Sequence, residues 1–287
     1  MNTHWGRMIL GLILTAPHTL LPLVPREPVP AVGEARPVPA GLAETFLSEG
    51  VRELEVGEGQ GRALVKELPA EGDWLSPFTG TDAAYESFSR SVRERVDPEP
   101  YALLRRQRAI YERAGFSEEL PKFDDVIEGR LGRIRPINRL EAAVLMLHQQ
   151  RFGRESEFEA FILRNAQGRL RVYYNGGPEL SPPSAPAVRK RVEADAAAGW
   201  RLAFHLHNHP FLFSNPAEDF AGTTIPSGGA SFGDVSTYLR DAKNLGLGGA
   251  LITNGFHTLE LGPSDFDRLA SSWKKDLALL GQSQVFW

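Results

Sequence analysis

Residues 157–174, with the sequence EFEAFILRNAQGRLRVYY, decide the fold class of this chain. Residues 157–163 are rich in aromatic and aliphatic side chains, which favour an extended strand. Residues 165–168, NAQG, have the composition of a turn, and residues 170–174 are again apolar and aromatic. The stretch therefore predicts a β-hairpin.

Helices and strands alternate after this hairpin. A helix is predicted from Ser184 to a stop at Gly199, followed by a strand over residues 200–205 and a helix over residues 231–245. A second hairpin is predicted around Asn254 and Gly255, and a helix over residues 264–280 follows. This order, β-β-α-β-loop-α-β-β-α, predicts an α/β fold with a mixed sheet flanked by helices over residues 153–287.

The preceding residues, 41–152, are predicted to be mostly helical. Their clearest helix begins after Asn138, where Glu141 stands three residues on, as a capping box requires. The one stretch with strand character covers residues 51–56.

Residues 1–40 are predicted to be an export signal followed by a linker. Residues 8–25 contain no Asp, Glu, Lys or Arg, and their apolar run at 8–14 follows Arg7. A membrane span needs about 20 apolar residues, so a signal-peptide core is favoured and no stable span is predicted. Five prolines between residues 25 and 39 indicate an extended linker. Export implies a periplasmic or secreted protein, and a tail on a cytoplasmic protein is the alternative.

The composition of the chain excludes several kinds of functional site. The 287 residues are 42% hydrophobic and 24% charged, as in globular proteins, and the net charge of −4 gives no global field that attracts nucleic acid. The chain has no cysteine, which excludes disulfides, thiolate zinc sites and cysteine nucleophiles. Any metal must be held by His, Asp, Glu or water.

Three of the seven histidines fall within residues 205–209, in the sequence HLHNH. Alternate residues of a strand share one face, so these imidazoles can point the same way. Asp234 follows 25 residues after His209, on the first turn of a predicted helix. His207, His209 and Asp234 would give three metal ligands and leave a fourth position for water, as in catalytic zinc sites.

Simpler interpretations exist for each part. Ser231 and Asp234 have the spacing of a capping box, and a histidine cluster can arise by chance on a surface. The two elements together are much less expected by chance than either alone, which favours a site. His205 is assigned to the core or to a position behind the ligands.

The residues His207-x-His209-Pro210 followed by Ser231-x-x-Asp234 resemble the JAMM motif of the MPN+ metalloproteases. The HNHP sequence is especially similar to the RadC-like bacterial branch, and the resemblance covers about residues 155–262. It implies an MPN/JAB-like, cytidine-deaminase-like fold and a Zn²⁺ ion.

The family also has a glutamate at the start of its first strand. Glu157 is favoured for this role by counting back from the turn at residues 165–168, while Glu159 shares the same face and stays an alternative. The chain departs from the family in one respect, because 21 residues separate His209 from Ser231. The long insertion, residues 211–230, is predicted to be a lid or a substrate-selecting loop.

The resemblance implies a zinc-dependent hydrolase that cleaves an amide or isopeptide bond with metal-activated water. Glu157 would accept the proton of that water, and Ser231 would hydrogen-bond the oxyanion or the water. The implied substrate is a protein or peptide, including conjugates of ubiquitin-like modifiers.

Two alternatives belong to other classes. The first is a non-catalytic MPN-like interaction module, favoured by the long insertion. The second is a RadC-like protein linked to nucleic-acid metabolism, against which the acidic balance and the absence of a clear nucleic-acid patch weigh.

Overall fold

A computed structural model describes residues 41–272 except 49, 57–60, 71, 114, 116, 118–119, 154, 180–181, 184 and 212–231. The described strands are β1 (Val51–Leu54), β2 (Arg62–Leu68), β3 (Arg133–Pro136), β4 (Phe158–Arg164), β5 (Leu170–Gly176), β6 (Arg201–Asn208), β7 (Ala250–Thr253) and β8 (His257–Leu261). The described helices are α1 (Leu42–Leu47), α2 (Ala83–Arg93), α3 (Pro100–Arg113), α4 (Leu120–Ile127), α5 (Arg139–Phe152), α6 (Pro186–Ala197), α7 (Phe232–Leu245) and α8 (Pro263–Ser272).

All eight strands form one mixed sheet with the order β1-β2-β5-β4-β6-β7-β8-β3. The predicted hairpin is its centre: β4 pairs antiparallel with β5 on one side and with β6 on the other. β6 and β7 are parallel, so the chain between them crosses over through α7. The predicted α/β class with a mixed, helix-flanked sheet is confirmed, and so is the predicted element order after residue 157.

Each face of the sheet carries its own hydrophobic core, because side chains of a strand alternate between faces. On one face, Phe158, Ala160 and Ile162 of β4 pack with the apolar residues of α5. On the other, Phe161 and Leu163 pack with residues of α6, α7 and α8, namely Val188, Val192, Val235, Tyr238, Phe266 and Leu269. The second face is called the α7 face below. The odd-numbered residues of β4 lie on it, and so do His205 and His207 of β6.

The mostly helical region, residues 41–152, contributes three strands to the same sheet. The strand predicted at 51–56 is β1, while β2 and β3 were not predicted. β2 pairs with β5 along its length and β3 pairs with β8, so residues 41–152 supply strands at both edges of the sheet. The described strands of residues 41–152 and of residues 153–272 therefore share one sheet, within one compact unit.

The predicted helix cap at Asn138 and the predicted turn at Asn254 and Gly255 are both present in the structure. Asn138 caps α5, and it forms the predicted reciprocal capping box with Glu141 at 2.8 Å in both directions. The turn between β7 and β8 contains Asn254 and Gly255, and Gly255 has a φ of 89°, where a side chain would be strained.

Several predictions fall on residues that the structure does not describe. They include the export signal and linker, residues 212–230 of the insertion, Ser184, Ser231, and the last part of the predicted C-terminal helix. Within the described residues, no helix is long and apolar enough to cross a membrane.

Candidate metal centre

The end of β6 and the first turn of α7 bring three metal-binding side chains together. His207 is the penultimate residue of β6, His209 follows the strand, and Asp234 is the third residue of α7. One ligand atom from each residue lies within 4.8 Å of the others, and no other described group of three or more His, Cys, Asp or Glu meets this condition. These three residues are called the metal-capable cluster below.

The distances within the metal-capable cluster suit a tetrahedral zinc ion. The Nε2 atoms of His207 and His209 are 3.1 Å apart. Asp234 Oδ1 lies 3.5 Å from His207 Nε2, and Asp234 Oδ2 lies 3.7 Å from His209 Nε2. Tetrahedral ligands at zinc-nitrogen bond lengths are about 3.3 Å apart, so one cation can contact all three side chains after small shifts.

The strand and its neighbour hold the imidazoles in place. The backbone N–H of His209 donates to the carbonyl of Thr253 at 2.8 Å, which carries the β6–β7 pairing one residue beyond β6. Tyr238 of α7 places its hydroxyl 2.9 Å from His207 Nδ1. If Nδ1 carries the hydrogen of a neutral ring and donates to Tyr238, Nε2 is left with the lone pair that a metal needs.

Burial lowers the pKa of His207 to about 4, an effect larger than the opposing charge of Asp234. The ring is therefore neutral at pH 7, which is the form that ligates metals.

Glu157 immediately precedes β4, two residues before the Glu159–His207 pair at which the pairing of β4 with β6 ends. Burial raises the pKa of the Glu157 carboxyl to about 7, with smaller contributions from the nearby His209, which lowers it, and Asp234, which raises it. A carboxyl that titrates near neutral pH beside a metal-capable cluster has the properties of a general base.

Glu159 has a different environment, although it shares the face of Glu157. Its Oε1 accepts from Asn175 Nδ2 at 3.0 Å, and its Oε2 lies 3.5 Å from His205 Nε2. Burial acts to raise the pKa of Glu159, but the interactions with His205 and Asn175 outweigh it and hold the pKa below its usual range.

His205 joins Glu159 to a second carboxylate. Its Nδ1 lies 3.5 Å from Asp241 Oδ2, and Arg189 Nη1 donates to Asp241 Oδ1 at 2.6 Å. Burial acts to lower the pKa of His205, but the pairing with Asp241 and Glu159 prevails and raises it to about 9. Glu159, His205, Asp241 and Arg189 are called the ionic cluster below.

The predicted site residues thus fall into three groups. His207, His209 and Asp234 converge, and Glu157 lies beside them. Glu159 and His205 belong to the ionic cluster, and His205 occupies the predicted core position behind the ligands. Ser231 lies outside the described residues, while Phe211, the first residue of the insertion, is buried against Phe256 with ring centroids 6.0 Å apart.

Two residues of this region were missed by sequence reasoning. Tyr238 lies four residues after Asp234, which puts both on one face of α7, and this helical spacing could have revealed it. Asn208 lies between the two histidines and its side chain points to the opposite face of β6, where it contacts the segment around Glu157. No sequence signal indicates that contact.

Comparisons with models of protein families, with curated proteins and with solved structures find no match to this chain. The geometry of the metal-capable cluster and Glu157 therefore carries the functional argument.

Proposed function

We propose that this protein is a zinc-dependent hydrolase of the JAMM type, with an MPN/JAB-like domain, that cleaves an amide or isopeptide bond. One observation carries the proposal: three ligand atoms from His207, His209 and Asp234 converge within 4.8 Å, next to a carboxyl group whose pKa is about 7. Three protein ligands with an acid-base group beside them characterise catalytic rather than structural zinc sites.

The donor set fits zinc. Two imidazoles and one carboxylate are common ligands of this ion, and the chain offers no thiolate. When bound, zinc supplies Lewis acidity, which lowers the pKa of water toward about 7 and polarises a carbonyl group.

The residues of the chain supply orientation and proton transfer. Tyr238 orients the ring of His207 so that Nε2 faces His209 and Asp234. Glu157 accepts a proton from the attacking water at its carboxylate and delivers it to the leaving amine, which its pKa near neutrality permits in both directions. Ser231, by the motif resemblance, stabilises the oxyanion.

The proposed substrate class is a protein or peptide, including isopeptide conjugates of ubiquitin-like modifiers. This part of the proposal rests on the JAMM resemblance of residues 207–210 and 231–234.

The test combines metal analysis with hydrolysis assays on the full chain. We expect about one zinc per chain by elemental analysis, and hydrolysis of isopeptide-linked conjugates that a chelator stops and added zinc restores. A metal-free purified chain that does not take up zinc would contradict the proposal. One bound zinc without hydrolysis across peptide and isopeptide substrates would favour the interaction module instead.

A further inference from the structure

Asn208 lies between the two histidines of the metal-capable cluster in the sequence, but its side chain points to the opposite face of β6. Alternation along the strand turns its side chain away from His207 and His209, toward the core that contains α5. The residue is 1% exposed, so each polar atom of its amide needs a partner within the protein.

Both polar atoms of the Asn208 amide bind the backbone on either side of Glu157. Asn208 Oδ1 accepts from the backbone N–H of Phe158 at 2.7 Å. Asn208 Nδ2 donates to the backbone carbonyl of Ser156 at 3.1 Å. One side chain therefore holds the residue before Glu157 and the residue after it.

This contact begins where the backbone pairing of β4 and β6 ends. The last residue pair in their register is Glu159 with His207. Beyond it, the Asn208 side chain replaces the next backbone partner and keeps the segment at Glu157 attached to the strand that carries the histidines. One amide group thus connects the segment at Glu157 directly to the strand that carries the histidines.

Two further bonds hold the same segment. The backbone N–H of Glu157 donates to the carbonyl of Glu179 at 3.2 Å. Ser156 Oγ lies 2.8 Å from Nε2 of His148, a buried residue of α5. The Glu157 carboxyl group itself is influenced by burial and by nearby charges, and no hydrogen bond from the described residues contributes to its pKa. The Asn208 contacts and these two bonds therefore act on Glu157 through its backbone segment.

We propose that Asn208 is a positioning residue: its side-chain amide clamps the backbone at Ser156 and Phe158 and thereby sets the Glu157 carboxylate relative to His207 and His209. This inference rests on the proposed function for its catalytic consequence. The clamp itself is a structural statement and can be tested without activity.

The first measurement is amide hydrogen exchange at Phe158 in the full zinc-loaded chain. Asn208→Ala removes the acceptor of this N–H, so we expect its exchange to rise about tenfold while the zinc content stays that of the wild type. Asn138→Ala is the matched control, because it also deletes a buried asparagine that binds backbone, at the start of α5. It should leave exchange at Phe158 unchanged.

The second measurement separates kcat from KM on a substrate that the wild type hydrolyses. Misplacement of a catalytic group by about 1 Å costs on the order of 100-fold in rate, so Asn208→Ala should lower kcat about 10- to 100-fold with KM within about twofold. Asn208→Asp retains the shape and the acceptor for Phe158, and it covers the case in which the alanine variant does not fold. It should lose less activity than the alanine variant.

The outcomes separate the clamp from the function. Wild-type exchange at Phe158 in a folded Asn208→Ala protein would overturn the clamp. Raised exchange with unchanged kcat would overturn the positioning role. If the wild type hydrolyses nothing and Glu157→Gln therefore has no effect to show, the proposed function fails while exchange at Phe158 still decides the clamp.

Discussion

The metal-capable cluster and the ionic cluster lie next to each other on the α7 face of β4 and β6. Each contains a histidine of β6 and an aspartate of α7. Glu159 of β4 belongs to the ionic cluster, whereas Glu157, just before β4, lies beside the metal-capable cluster. In the ionic cluster, His205 lies between two carboxylates, and Arg189 binds one of them at 2.6 Å. In the metal-capable cluster, two imidazoles and a carboxylate face one another.

The charges explain this difference. With the pKa of His205 raised and those of Glu159 and Asp241 lowered, the ionic cluster holds two positive groups, His205 and Arg189, and two negative groups. Arg240 adds a further cation 3.3 Å from Asp241 Oδ1, so the two carboxylates are compensated without a metal. In the metal-capable cluster, burial lowers the pKa of His207 to about 4, and beside it burial raises the pKa of Glu157 to about 7. The same residue types thus form a structural ion network in one place and a metal-capable site in the other.

The largest expected difference between the clusters is zinc binding. His207→Ala, His209→Ala and Asp234→Ala should each lose most of the bound zinc, because three protein ligands leave no redundancy. His205→Ala is the control and should keep zinc. Elemental analysis of the purified variants measures this, and loss of zinc from His205→Ala but not from His207→Ala would show that the ligand assignment is wrong.

The two glutamates should differ next in catalysis. Glu157→Gln retains shape but cannot accept a proton, so the hydrolysis rate should fall by about 10²–10⁴ with zinc retained. Glu159→Gln, the matched control two residues on, should hydrolyse nearly as well as the wild type. Steady-state rates on one substrate compare them. A loss confined to Glu159→Gln would move the general base by two residues, and full activity in the double variant would leave the interaction module as the better interpretation.

The ionic cluster should matter most for stability. Asp241 is completely buried between Arg189 and His205, and removal of one partner from a buried ion network costs about 3 kcal/mol. Asp241→Asn should therefore lower the free energy of unfolding by about that amount, without loss of zinc. Urea unfolding at pH 7 measures the effect, and unchanged stability would contradict the role of the cluster.

The same cluster predicts a pH dependence. Because the folded-state pKa of His205 is raised from 6.5 to about 9, its charge stabilises the fold fully below pH 6.5. That contribution declines as the pH rises through about 9. The lowered pKa values of Glu159 and Asp241 act in the opposite direction and cause loss of stability in acid. Stability that stays level from pH 6 to 10, in urea titrations of wild type, would argue against a charged His205.

A smaller effect, on zinc affinity, is expected from Tyr238 of α7, whose hydroxyl faces His207. Tyr238→Phe removes the hydroxyl at Nδ1, so zinc affinity should fall about tenfold while the fold is kept. Competition with a zinc-binding dye measures the affinity. Tyr173→Phe is the control, since it also removes a tyrosine hydroxyl hydrogen bond, to Asp195, on the same face of the sheet. Equal affinities in the two variants would mean that Tyr238 does not orient the ligand.

Deletion of the first 40 residues is expected to change neither stability nor zinc binding. If they are a signal and a linker, their deletion should leave the melting temperature and the zinc content unchanged. A large drop in the melting temperature would show that they pack against the domain.

The elements of residues 157–261 were predicted well from the sequence. The spacing of their apolar residues changes clearly between that of a strand and that of a helix. The sequence did not predict β2, whose apolar residues face both cores and whose pattern therefore lacks alternation. It did not predict β3, a four-residue edge strand whose Arg133 and Arg135 bind Glu260 of β8. Both depend on partners more than 100 residues away.

The site was predictable to a similar degree. Strand alternation marked the histidines and both glutamates, and the start of a predicted helix marked Asp234, without knowledge of the partner strands. The choice between Glu157 and Glu159 depends on which side chains lie near each carboxyl group. The residues of the network around Glu159, namely Asn175, His205 and Asp241, come from three other elements. Asn208 acts across the sheet on a segment 50 residues earlier in the chain, so only the tertiary structure identifies it.

The interlocked sheet also constrains how the protein is made on the ribosome. β2 pairs with β5, and β3 pairs with β8, where Arg133 is opposite Glu260. β2 can pair early with β1, but its other edge waits for β5, and β3 has no partner strand until β8 is made. More than 100 further residues must be translated in each case. We expect ribosome-bound chains truncated before residue 257 to be protease-sensitive and to depend on chaperones. The three residues of the metal-capable cluster are all synthesised by residue 234, before β7 and β8 complete the sheet around them.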